Sequence, residues 1–163
     1  PLLQPEGVAA CARALRERGP RLLLETHGLA HQALPAVLDC VDVVSMDWKL
    51  ASDVRRAKDP RRGVVEPFHD AHERFLEVAC GAPELVVKLV ITPASRDDEI
   101  DEAMTRLARR APRATVVLQP VTPRPGAPER PSAERLLELA ARLGSRLSDV
   151  RVIPQTHPVY GAP

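Results

Sequence analysis

Val41-Asp42-Val43-Val44-Ser45-Met46-Asp47-Trp48-Lys49 is almost continuously apolar until Ser45, Asp47 and Lys49 interrupt it at every second position. Continuous apolar character marks a strand covered on both faces, as in a parallel sheet. The period of two sets the three polar side chains on one face near the strand's end. Four other runs share this design: 21–26 ends at Glu25-Thr26-His27-Gly28, 85–92 at Ile91-Thr92, 115–119 at Gln119-Pro120-Val121-Thr122, and 150–153 at Pro154-Gln155-Thr156-His157. Strands that stop at chemistry-capable residues, with helices between them, line a site along one rim of a parallel sheet. An enzyme is therefore the first expectation.

The intervening segments read as helices. Pro5 and Glu6 suit an opening turn, Val8, Cys11, Ala12 and Leu15 recur at i, i+3, i+4 and i+7, and Gly19-Pro20 ends the segment. A short helix is expected around 35–39. Asp70 and Glu73 are spaced as a capping box for a helix burying Ala71, Phe75, Val78 and Ala79, stopped by Gly81. Ser95 is the expected cap of the next helix, with Asp97, Asp98 and Glu99 at its positive end and Ile100, Ala103, Met104, Leu107 and Ala108 on its apolar stripe. Ser132 opens the last one, which buries Leu136, Leu139, Ala140 and Leu143 and ends at Gly144.

The order α(βα)₄β, with crossovers long enough for parallel neighbours, predicts an α/β fold of about five parallel strands joined in the right-handed sense. Five strands do not close an ordinary barrel. An open, partial barrel in one domain, 1–163, is expected, with strand 21–26 left as an apolar edge. Residues 50–70 are irregular and basic, with Arg55, Arg56, Lys58, Arg61 and Arg62, and read either as a ligand-contacting lid or as a solvated insert.

Composition narrows the function. The chain has 163 residues, 44% apolar and 28% charged, with net charge +1, so neither nucleic acid nor a membrane surface is indicated. One Trp, one Tyr and two Phe are too few for a base-stacking platform. Arginine outnumbers lysine 20 to 3, a skew that fits a GC-rich coding bias as well as any function. Cys11, Cys40 and Cys80 are widely spaced and odd in number, which argues for reduced cytoplasmic thiols rather than a zinc site or disulfides. No glycine-rich phosphate loop or G-x-S-x-G elbow occurs, which removes nucleotide and serine hydrolases.

Ser45, Asp47 and Lys49 combine a hydroxyl, a carboxylate and an ammonium, read as a ligand site or a structural ion pair. Gln119-Pro120-Val121-Thr122 offers an amide, a kink and a hydroxyl. Glu25-Thr26-His27-Gly28 turns directly after its strand, where Gly28 permits close backbone approach to a ligand and Thr26 is the competing choice of helix cap. His157 reads as a general base or, lacking a signalled carboxylate partner, as a hydrogen-bonded loop histidine. His69 and His72, three apart, read as a surface pair in preference to metal ligands.

Together, Leu24-Glu25-Thr26-His27-Gly28, Val44-Ser45-Met46-Asp47-Trp48-Lys49-Leu50, Val87-Lys88-Leu89-Val90, Leu118-Gln119-Pro120-Val121-Thr122 and Val152-Ile153-Pro154-Gln155-Thr156-His157 resemble a radical S-adenosylmethionine family, the 7-carboxy-7-deazaguanine synthases. The resemblance implies a partial barrel of radical S-adenosylmethionine type. It also implies a carbon–nitrogen lyase that converts 6-carboxy-5,6,7,8-tetrahydropterin to 7-carboxy-7-deazaguanine for queuosine and other deazapurines. The implied cofactors are S-adenosylmethionine, a [4Fe–4S] cluster and Mg²⁺. By the same resemblance Ser45, Asp47, Lys49, Gln119, Pro120, Val121, Thr122, Glu25 and Thr26 line the S-adenosylmethionine site. Gln155, His157 and the C-terminal Pro163 are assigned to substrate.

The family's E-T-N-G turn has His27 in place of asparagine. Its cluster cysteines, magnesium ligand and G-G-E motif are expected before Pro1, so that the chain reads as a C-terminal part, inactive alone, with no metal ligand of its own. An external reductant such as flavodoxin, a cytoplasmic location and a homodimer are the further expectations. A non-catalytic S-adenosylmethionine-binding scaffold and a radical enzyme of the activating type are the alternatives.

Overall fold

The computed structural model describes residues 1–60, 63, 65–123 and 129–156. The chain runs α1 (Pro5–Arg16), β1 (Leu23–Thr26), α2 (Pro35–Leu38), β2 (Val43–Asp47), α3 (His69–Ala79), β3 (Glu84–Ile91), α4 (Asp97–Arg110), β4 (Thr115–Pro120), α5 (Ala133–Gly144) and β5 (Val150–Val152). All five strands join one parallel sheet in sequence order, β1-β2-β3-β4-β5. An α/β fold with an open sheet is thus established among the described residues. Each strand adds beside its predecessor, so crossovers of one hand keep every helix on the same side, as in part of a barrel.

Register and burial separate the two faces. Leu24, Val44, Met46, Val87, Leu89, Ile91, Val116 and Leu118 alternate along the strands and share one core with Ala12 of α1, Phe75 and Leu76 of α3, Met104 and Leu107 of α4, and Leu139 and Leu143 of α5. The intervening residues, Glu25, Ser45, Asp47, Lys88 and Gln119, lie on the opposite face. Polar strand ends and helix-covered core are therefore opposite sides of the same alternation. β1 is the edge of the sheet, and its Leu23 is 60% exposed beside an apolar groove of about 440 Å³ lined with Leu15 and Val8 of α1.

Several local expectations need correction. In α1 the buried positions are Ala9 and Ala12, while Cys11 and Leu15 are exposed, so the stripe is rotated from the expected one. Asp70 and Glu73 form no capping box; α3 has Phe68 at its N-cap without a side-chain bond, and both carboxylates turn to Arg106. Ser95 does not cap α4 either, because its hydroxyl donates to Asp53 at 2.5 Å and accepts from the Thr92 amide. In each case a tertiary partner wins over the local one. Ser132 does cap α5, accepting from the Arg135 amide at 3.2 Å.

Candidate functional site at the strand ends

On the open face Glu25 of β1, Asp47 of β2, Lys88 of β3 and Lys49 just beyond β2 come together. Asp47 and Lys88 are register partners on β2 and β3, 3.3 Å apart at Oδ1 and Nζ. Lys88 also reaches diagonally across β2 to the Glu25 carboxylate on β1, and Lys49 folds back to Asp47 Oδ2 at 2.7 Å. Two carboxylates and two ammoniums therefore form one quartet. Burial pulls the Lys88 ammonium down, but its bond to Glu25 and the charge of Asp47 more than offset this and hold its pKa above the ordinary lysine value. Glu25, 63% exposed at its side chain, is the member most open to solvent.

Ser45 lies one pleat below Asp47 on that face, buried, with Glu25 and Val86 as its register partners. Gln119 lies one pleat above the Lys88 row, beside Val90. Beyond β4, the Val121 amide bonds the Ile91 carbonyl at 2.9 Å and the Thr122 amide bonds Gln155 Oε1 at 3.3 Å. The structure thus brings Thr122 together with Gln155, from the ends of β4 and β5. Thr26 and Pro120 fall on the helix side of the alternation, in register with Met46 and Ile91, so neither side chain shares the face of the quartet. His157 and Pro163 lie outside the described residues.

Two residues of this arrangement escape the sequence reading. Lys88 sits inside an apolar strand and only the fold reveals its partners. His72 is the other: it and His69 are buried, not on a surface. The Lys49 amide donates to His72 Nε2 at 2.9 Å, and His72 Nδ1 lies 2.8 Å from the Gly28 carbonyl. Since Nε2 accepts, Nδ1 carries the proton and donates to Gly28. Burial lowers the His72 pKa to about 4, against a smaller raising effect of the Gly28 bond. Trp48 Nε1 donates to His69 Nδ1 at 3.1 Å, and burial followed by the nearby Arg106 charge lowers the His69 pKa as well.

Gly28 has φ +66°, and a Cβ there would lie 2.8 Å from Met46 Cε and 3.0 Å from the Asp47 carbonyl oxygen. Its close approach is therefore to β2 itself, which fixes the turn beside the quartet. His27 Nδ1 accepts from the Leu29 amide at 3.2 Å, the i to i+2 bond that an asparagine side chain makes in such turns.

The described part of the basic segment after β2 is stitched down; Arg61 and Arg62 lie outside the described residues. Asp53 bonds Thr92 and Ser95 beyond β3, Ser52 bonds Glu99 of α4, and Arg55 and Arg56 are spent on the segment's own carbonyls at Pro60, Gly63, Glu66 and Pro67. The Arg56 guanidinium also stacks 3.7 Å from the Phe68 ring centroid. These arginines serve loop structure. A cavity of about 630 Å³ opens at the other end of the sheet, between the starts of β3 and β4; Glu84, Arg110 and Arg113 are among its lining residues, and it lies away from the quartet.

The three cysteines do not fit an iron–sulfur cluster. Cys11 is on α1, Cys40 follows α2 and Cys80 follows α3, and burial raises the pKa of both the Cys40 and Cys80 thiols, which opposes the thiolate form that iron requires. Among the described residues no His, Cys, Asp and Glu cluster is arranged to hold a metal ion, and no helix is long and apolar enough to cross a membrane.

An open parallel sheet with a charged row near its C-terminal edge defines an α/β fold of the partial-barrel kind. Its relatives are enzymes. The chain is 33% identical over 161 residues, 99% of its length, to the 7-carboxy-7-deazaguanine synthase of Geobacter sulfurreducens. It is 32% identical over 158 residues, 96% of its length, to the 7-carboxy-7-deazaguanine synthase of Methanopyrus kandleri. The resemblance read from the strand-end strings is borne out: the chain is a homologue of the 7-carboxy-7-deazaguanine synthases. It spans 60% and 55% of the length of these two proteins. No family model matches the chain.

Proposed function

We propose that the chain supplies the S-adenosylmethionine and substrate rim of a 7-carboxy-7-deazaguanine synthase, a radical lyase that converts 6-carboxy-5,6,7,8-tetrahydropterin to 7-carboxy-7-deazaguanine in queuosine biosynthesis. The observation that carries the reading is the quartet Glu25, Asp47, Lys49 and Lys88 on the open face, in a homologue of enzymes of that name. Both signs of charge are present there, as a zwitterionic amino-acid ligand requires, and Ser45, Gln119 and Thr122 add hydroxyl and amide groups for a nucleoside. Bound S-adenosylmethionine supplies a 5′-deoxyadenosyl radical source in this chemistry.

The chain's own residues bind and orient. Lys49 and Lys88 neutralise a carboxylate, Glu25 and Asp47 receive an ammonium, and Gln155 steadies the Thr122 turn. The cluster is not assigned to this chain, whose cysteines do not fit it, and on its own the chain is inactive. The proposed cytoplasmic setting provides a reductant such as flavodoxin, and a homodimer is the proposed assembly. Conversion of 6-carboxy-5,6,7,8-tetrahydropterin by the complete, cluster-reconstituted protein tests the reading. Accumulation of 7-carboxy-7-deazaguanine supports it; cleavage of S-adenosylmethionine without that product assigns the rim to another radical enzyme.

A further inference from the structure

We propose that His72 is a positioning residue for the rim, a clamp whose two ring nitrogens hold the backbone of Lys49 and the carbonyl of Gly28 and thereby set where the Lys49 ammonium meets its ligand. The inference rests on the binding role proposed above and goes beyond it to a residue outside the rim.

Three observations converge on this ring. It is fully buried on α3, between Trp48 at 5.2 Å and Phe68 at 6.0 Å, measured between ring centroids, so packing fixes its plane. Its two hydrogen bonds reach two different strand ends, β1 through Gly28 and β2 through Lys49. Neither bond belongs to a helix or to the sheet ladder; without the ring both backbone groups lose their partner. Gly28 in turn packs against Met46 and the Asp47 carbonyl, so a shift of either end moves Asp47, the hub of the quartet.

The arrangement also dictates a tautomer. Lys49 N–H points at Nε2, so the ring proton must sit on Nδ1, whereas free histidine in water favours the other nitrogen. A merely space-filling histidine carries no such requirement. The charged and titratable groups around it are His69 on the same helix, Lys49 after β2 and His27 after β1.

Two substitutions separate the halves of the clamp. His72→Gln places an amide oxygen near the Nε2 position and keeps an acceptor for Lys49; His72→Asn places an amide nitrogen near Nδ1 and keeps a donor for Gly28. In the complete protein, titration with S-adenosylmethionine is expected to show binding within about threefold of wild type for His72→Gln and at least about tenfold weaker binding for His72→Asn. Nitrogen-15 spectra of the wild-type imidazole, free of ligand, are expected to show a protonated Nδ1 and a bare Nε2. Equal affinities for both variants and wild type, or an order reversed between the variants, overturns the positioning role. A protonated Nε2 overturns the clamp itself. Failure of the wild type to bind S-adenosylmethionine instead overturns the ligand assignment, while the spectrum still decides whether the clamp exists.

Discussion

The α3–α4 interface and the open face of the sheet both carry ion-pair networks, and they are built from different cations. Between the helices, Arg106 bonds Asp70, Glu73 and Glu102 at 2.7–2.8 Å, and Glu73 also takes Arg109 and Arg110. Planar guanidinium forks converge on the half-buried Glu73, whose two oxygens three arginines share. In the quartet the cations are Lys49 and Lys88, two of the three lysines in a chain with 20 arginines. Lysine is a compact point charge on a flexible stem, able to exchange one partner for another. The scarce cation is found in the quartet, and the abundant one in the lock between α3 and α4. The arginine skew alone carries no function; under the proposed function the placement of the lysines does.

That contrast is broken most sharply by exchanging the cations. Lys49→Ala and Lys88→Ala are each expected to weaken S-adenosylmethionine binding by about 3 kcal/mol, roughly a hundredfold, and Lys88→Arg to leave most of that loss in place. Calorimetric titration of the folded variants measures it; recovery in Lys88→Arg would show that charge alone, and not lysine, matters.

Acid separates the two networks next. The His72 pKa falls from about 6.5 unfolded to about 4 folded, so the fold favours the neutral ring. Its contribution is present above pH 6.5 and is lost as pH falls toward 4, up to about 3 kcal/mol. Urea melts across this window are expected to steepen in pH dependence for wild type and to flatten for His72→Gln; identical slopes count against a neutral, buried ring.

Gly28→Ala meets both a positive φ and two close neighbours, and a loss of about 2 kcal/mol is expected from equilibrium unfolding. Retained stability would mean that the turn relaxes freely and is not fixed against β2. The smallest effect belongs to the helices: Arg106→Ala is expected to cost about 1 kcal/mol, since Glu73 keeps two other arginines, with S-adenosylmethionine binding unchanged.

Much of this was legible in the residues. The strands announce themselves as apolar runs, and period two places Ser45 and Asp47 on one face, as found. Lys88 was hidden because a lone charge inside Val86-Val87-Lys88-Leu89-Val90 looks like an interruption; its signal is that a buried strand tolerates a charge only when it is paired. His72 had a clearer signal. His72, Phe75, Leu76 and Ala79 recur at i, i+3, i+4 and i+7, and this is the stripe α3 buries, where the expected one began at Ala71. The false caps at Asp70 and Ser95 have one cause: short-range spacing cannot show that Arg106 and Asp53 arrive from elsewhere in the chain.

Under the proposed function the quartet binds S-adenosylmethionine and the arginine network is scaffold. Titration of the complete wild-type protein, Lys49→Ala and Arg106→Ala with S-adenosylmethionine tests it in one series. The account predicts equal binding by wild type and Arg106→Ala and roughly hundredfold weaker binding by Lys49→Ala. Undiminished binding by Lys49→Ala contradicts it.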